Sequence, residues 1–124
     1  MRQAEYDGDR RFRRPSARTR APRRRRIANV DIAIKKAWTA IAFKRPTAMV
    51  RALMMPDAMA YGLQHTDDRI CMVAGGLPIV EGGEFLGTVG VSGGTIDEDI
   101  ACCVEALKAC GFATEFADPL KAAR

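Results

Sequence analysis

Apolar side chains recur at Ile34, Ala37, Trp38 and Ile41, the i, i+3, i+4, i+7 spacing of one helix face, and predict a helix over residues 30–43. Asn29 stands where a helix cap belongs. Lys35, Lys36 and Thr39 fall beside or opposite that stripe, and Lys36, as a lone Lys on a helix, reads as part of a solvated face. Pro46 stops the pattern, and Thr47 opens a second helical run through Met49, Val50, Leu53 and Met54 as far as Pro56. Residues 44–46 would then form a tight corner. From 57 to 68 the pattern is mixed, a loop in which Met59, Tyr61 and Leu63 are the expected anchors and Gly62 a break.

Residues 70–73 read as a short strand, and two further apolar runs flank Gly82-Gly83. A Gly-Gly pair between such runs predicts a hairpin over about 79–91, because both central residues of a type I′ turn need positive φ. Within it, Gly87 and Gly90 leave room for another backbone or a ligand to approach. Thr95-Ile96-Asp97-Glu98 has the form of a capping box, with Asp97, Glu98 and Asp99 placed to suit the positive end of a helix dipole. The helix it opens is predicted over 96–110, with Ile100, Cys103, Val104, Leu107 and Cys110 on one face and Gly111 as its stop. Phe112 and Phe116 would add a strand or cover the core. There is no internal repeat.

Composition splits the chain in two. Residues 1–26 hold 11 Arg against 3 acids, a net of +8, so the chain's +5 leaves −3 for residues 27–124. With Tyr6 and Phe12 as its large apolar residues, and Pro15 and Pro22 breaking any helix, the first segment reads as a disordered arginine-rich arm. Residues 27–124 read as one small domain, and 48% apolar residues overall suffice for a single core. No apolar run is long enough for a membrane helix or a secretory leader, which excludes a membrane partner. Cys71, Cys102, Cys103 and Cys110 contain no C-x-x-C pair. They are expected to be reduced, buried small hydrophobes, which points to the cytoplasm.

Three segments in order then carry a resemblance: 31–40 (DIAIKKAWTA), 75–79 (GGLPI) and 87–94 (GTVGVSGG), followed by Asp99. They resemble the KA-x-TA helix, GG-x-P segment and G-x-x-G-x-SG turn of the GlcG/HbpS family, whose domain also forms the C-terminal part of PduO-type proteins. The resemblance covers about residues 27–111. It implies an α/β (α+β) domain, profilin-like and layered, with an antiparallel sheet flanked by helices. It also implies a homo-oligomer associated with haem or a related tetrapyrrole, in some members with haem degradation or sensing, and accompanying glycolate, diol or cobalamin metabolism. A small-ligand-binding accessory role follows rather than a defined enzyme. Family domains begin with a helix and two strands ahead of the KA-x-TA helix. Here the arginine-rich segment holds that place, so the sheet is expected to lack its first strands. Arg, Ala and Pro dominate out-of-frame translation of GC-rich DNA, so a shifted reading frame is one origin for the segment and a recruited basic arm the other. As a real arm it would tether nucleic acid without sequence preference. A purely structural, oligomer-forming domain is a third reading.

The candidate ligand site comprises Lys36, Gly75, Gly76, Ser92, Gly93, Gly94 and Thr95. Amides of Gly93, Gly94 and Thr95 at a helix N-terminus suit a carboxylate or haem propionate, and Lys36 would add a cation. The same glycines are equally explained by a tight strand-to-helix turn. His65, the only histidine, and Met49, Met54, Met55 and Met59 are of haem-ligating type, but a solvated loop and a helical core account for them too. Ser92, Asp99 and His65 lack the G-x-S-x-G spacing of a hydrolase elbow.

Overall fold

The computed structural model describes Arg2–Glu5 and residues 28–117. Its elements in chain order are β1 (Arg2–Glu5), α1 (Ala28–Ala42), α2 (Thr47–Met54), a 3-10 turn (Leu63–His65), β2 (Gly76–Glu81), β3 (Glu84–Gly90) and α3 (Ile96–Ala109). The strands form one antiparallel sheet in the order β1-β3-β2, with α1 on one face and α3 on the other. This is the layered α+β class expected.

The hairpin closes through Gly82 and Gly83 at φ +57° and +83°, the mirror-image turn whose twist matches the strands. Leu77 pairs with Val89 and Gly76 with Gly90. Side chains alternate across a sheet, so these two pairs look opposite ways. Leu77, Ile79 and Val89 form the core with Cys103 and Leu107 of α3, and Phe112 and Phe116 cover it without forming a strand. On the other face α1 crosses at Gly76 and Gly90, where the sheet has no side chain. A Cβ on Gly90 would collide with the backbone of Ala33 and Ala37, and one on Gly76 would fall within 2.9 Å of the Lys36 backbone. Ala37 and Ala40, both buried, allow the same closeness from the helix side. Thr88 joins the layers by donating its hydroxyl to the carbonyl of Ala37 at 2.8 Å.

Several expectations change. α1 starts at Ala28, so Asn29 lies inside its first turn and is not the cap. Thr47 opens α2, but its hydroxyl accepts the Gly76 amide at 3.0 Å, fastening the helix to β2. Residues 70–73 are irregular, because Thr39 supplies what a strand partner would have supplied. Its hydroxyl accepts the Cys71 amide at 2.8 Å and donates to the Arg69 carbonyl at 3.3 Å. Met59, Tyr61 and Leu63 are exposed rather than anchors. Cys102 and Cys110 are exposed, leaving Cys103 as the buried thiol, and all four cysteines are free.

Within the arginine-rich segment, Arg2–Glu5 pairs with β3 in the register Arg2↔Gly90 to Glu5↔Gly87. An ordered strand therefore replaces the expected disorder for these four residues, and the open edge of β3 is covered. Pairing uses backbone groups, which a polar segment possesses as fully as an apolar one. The remainder of the expected arm, residues 6–26, lies outside the described residues.

Candidate functional site

The open end of the β2–β3 hairpin is where the two helical layers meet. Val91 donates its amide to the Gly75 carbonyl at 2.9 Å, extending the ladder by one step before the chain turns toward α3. Gly75 has φ +123°, and a Cβ there would stand 2.8 Å from both Lys36 Nζ and the Val91 carbonyl. The missing side chain opens a passage at the end of the sheet. Lys36 of α1 passes through it, donating to Val91 O at 2.8 Å and to Asp99 Oδ2 of α3 at 3.0 Å.

Both charges are out of water, Lys36 at 1% exposure and Asp99 at 4%. Lys36 is therefore not the solvated group expected of it. Lys36 lies in the same stripe as Ala37 and Ala40, and the close approach of α1 to the glycine face encloses its stem. Asp99 lies in register with Cys103 and Leu107, one helical turn apart along the buried side of α3.

The second oxygen of Asp99 accepts the Gly94 amide at 3.0 Å. Thr95 caps α3, its hydroxyl accepting the Glu98 amide at 3.2 Å while its own amide donates to Glu98 Oε1 at 3.4 Å. Two of the three amides considered for an external anion thus already hold the protein's own carboxylates. Of the seven candidate residues, Lys36, Gly75 and Gly94 converge on Asp99, Gly76 lies under α1 and against Thr47, and Thr95 serves the cap. Ser92 and Gly93 are half-buried in the connecting turn.

Cys103 was missed as a member of this cluster. Its thiol donates to the Gly75 carbonyl at 3.2 Å, and burial pushes its pKa up to about 12, opposite to what a nucleophilic thiol requires. Asp99 was legible as the downstream Asp of the family pattern, and its four-residue spacing to Cys103 and Leu107 was the further signal that it faces inward. With Asp99 held by Lys36 and Gly94, and His65 exposed on the 3-10 turn, no hydrolase triad forms. No group of three or more metal-ligating side chains occurs among the described residues.

A second cluster fixes the loop over the other side of α1. The Arg69 guanidinium lies 4.2 Å from the Trp38 ring centroid and forks onto Asp67 at 3.0 and 2.7 Å. That fork holds the Asp67 carboxyl down to about 2 and raises Arg69 further.

The family model of the haem-degrading protein HbpS-like family matches residues 12–108, beginning inside the arginine-rich segment. The chain belongs to this family. Among its relatives, an uncharacterised 15.0 kDa protein from the dhaT-dhaS intergenic region of Citrobacter freundii is 40% identical over 74 residues, covering 59% of this chain and 52% of that protein. The corrinoid adenosyltransferase PduO of Citrobacter freundii is 33% identical over 89 residues, covering 71% of this chain and 27% of that protein. The chain thus spans about half the length of the first and about a quarter of the second. The structure of Klebsiella pneumoniae ORFY, of the DUF336 family, matches with TM-score 0.71 at 33% identity, over 74% of this chain and 64% of that one. The PduOC:heme complex matches with TM-score 0.75 at 27% identity, over 82% of this chain and 75% of that one. No helix of the described residues is long and apolar enough to cross a membrane.

Proposed function

We propose that this protein is a tetrapyrrole-binding accessory protein whose ligand is haem or a close analogue. The observation that carries the reading is the match of this fold, over 82% of the chain, to the PduOC:heme complex. The buried polar cluster supports binding over catalysis: Lys36, Asp99, Gly94 and Cys103 hold one another and join the two helical layers, a structural use of those groups. Haem iron takes an axial donor from His, Cys, Met or Tyr, and side chains of these types are exposed on the chain. Met59 and Tyr61 are exposed apolar side chains of ligating type, and His65 is exposed nearby in sequence. Bound there, haem would bring an iron centre able to take such a donor.

Titration of the purified chain with ferric hemin tests this. The expected result is a saturable, shifted Soret band together with a rise in Tm, because a ligand that binds only the folded state stabilises it. A spectrum equal to free hemin at every ratio would overturn the proposal.

A further inference from the structure

The backbone groups of a strand turn alternately to its two neighbours. Val91 turns its amide to β2, where the Gly75 carbonyl accepts it at 2.9 Å. By alternation Val89 and Gly87 also turn to β2, while Thr88 and Gly90 turn to β1. Pro78 agrees with this parity, since it stands opposite Thr88 and has no amide to give. Thr88 and Gly90 are buried, and buried backbone groups need partners. Ala4 and Arg2, in register with Thr88 and Gly90, are the residues that meet them. The outer edge of β3 thus requires a strand. It requires a short one, because Leu86 interrupts the ladder: Val80 pairs with Phe85 and Ile79 with Gly87, leaving Leu86 without a register partner on either side.

The strand that answers this requirement stands apart from the rest of the domain. β1 precedes residues 12–108, the span that matches the family, and residues 6–27 separate it from α1. The core residues Leu77, Ile79, Val89, Cys103 and Leu107 all lie in β2, β3 and α3. Departure of β1 therefore opens the edge while the core stays packed, a local opening that needs less free energy than global unfolding. We propose that β1 is an exchangeable strand, and that the outer edge of β3 is an interface at which a second copy of this chain supplies Arg2–Glu5. The length of the connection selects that occupant. Glu5 stands opposite Gly87, and α1 crosses the same strand at Gly90 with Ala33 and Ala37, so a short link would join them. The commonest connections have about 2–6 residues, and lengthening one costs little entropy. Residues 6–27 therefore let one strand serve its own edge or a neighbour's. A second copy carries the same strand and the same edge, so two copies that trade strands keep every ladder bond and form a closed pair. Pairing within one chain competes at an effective concentration of about millimolar, so exchange grows as the protein approaches that range.

The test compares the full-length chain with Ala4→Pro and Gln3→Pro by sedimentation equilibrium up to about millimolar concentration and by amide hydrogen exchange. Proline at position 4 removes the amide that faces Thr88, whereas position 3 turns its amide outward, where an edge strand tolerates proline. The parent should pass from monomer to dimer as concentration rises and go no further, and Gln3→Pro should match it. Ala4→Pro should stay monomeric, and its Thr88 and Gly90 amides should lose the protection they have in the parent. Isotope-filtered nuclear Overhauser spectra of mixed labelled and unlabelled parent, at the concentration where it dimerises, should connect residues 2–5 of one copy with residues 87–90 of the other. A parent that is monomeric throughout overturns the proposal. So does a dimer that Ala4→Pro retains, or one in which those contacts stay within a single copy, because its interface then lies elsewhere. If Ala4→Pro fails to fold, the isotope-filtered contacts of the parent decide by themselves.

Discussion

An ammonium withdrawn from water costs several kcal/mol unless its charge and its protons are met. Lys36 meets that demand with the Asp99 carboxylate and the Val91 carbonyl, and Asp99 in turn accepts the Gly94 amide. Removing one partner leaves the other buried and uncompensated, so Lys36→Met should lower unfolding stability by about 3–5 kcal/mol in urea titration. The double variant Lys36→Met, Asp99→Leu should recover much of that loss, because an apolar pair of similar volume carries no uncompensated charge. Equal loss in single and double variants would show that shape, not charge, is what the pair supplies. Gly75 belongs to the same argument, since its positive φ and the closeness of Lys36 Nζ both oppose a side chain. The sequence shows both charges but puts Lys36 on the wrong face. Helical spacing assigns a face relative to one apolar stripe, and α1 is enclosed over a wider arc because the sheet beneath it has glycines where side chains would stand.

At the scale of elements, legibility followed the range of the interaction. The capping box of α3 and the Gly82-Gly83 turn involve neighbours in the chain, and both formed as read. Thr95→Ala removes the acceptor of the Glu98 amide and should cost about 1 kcal/mol, lowering Tm by roughly 4–8 °C for a domain of this size. An unchanged Tm by differential scanning calorimetry would mean that α3 is held by packing alone. Elements fixed by distant partners were misread. Residues 70–73 have strand-like composition but give the Cys71 amide to Thr39, 32 residues away in sequence. Gly90 reads as a place for another backbone or a ligand, and the backbone of α1 is what approaches it, whereas Gly76 reads as a ligand position and is likewise where α1 rests on the sheet. Gly90→Ala would set a methyl group against the backbone of Ala33 and Ala37, with no flexible side chain to yield. It should cost about 3 kcal/mol or more through overpacking, where an ordinary exposed Gly→Ala change would not. Which glycines lie under α1 is set by register with that helix, which no local pattern encodes.

For the whole molecule, the four thiols report how the fold partitions the chain. Cys102 and Cys110 are exposed, Cys71 is half-buried, and Cys103 is sealed between α3 and the Gly75 carbonyl. Alkylation under native conditions should therefore label Cys102 and Cys110 first and Cys103 only as fast as the domain opens globally, so its labelling rate measures unfolding and should rise in step with denaturant. Rapid labelling of Cys103 without denaturant, followed by peptide mass spectrometry, would show that the hairpin end opens locally. The same thiol sets an alkaline limit. The folded protein keeps it protonated up to about pH 12, whereas the unfolded chain releases the proton near the ordinary thiol value of about 8.5. Proton release thus favours the unfolded chain, so this contribution to stability is intact below about pH 8.5 and is lost progressively as pH rises through 12. Cys103→Ala should flatten that part of the pH–stability curve while lowering stability at neutral pH through the cavity it leaves. A variant curve parallel to the parent's across pH 8–10 would place the alkaline sensitivity elsewhere in the chain.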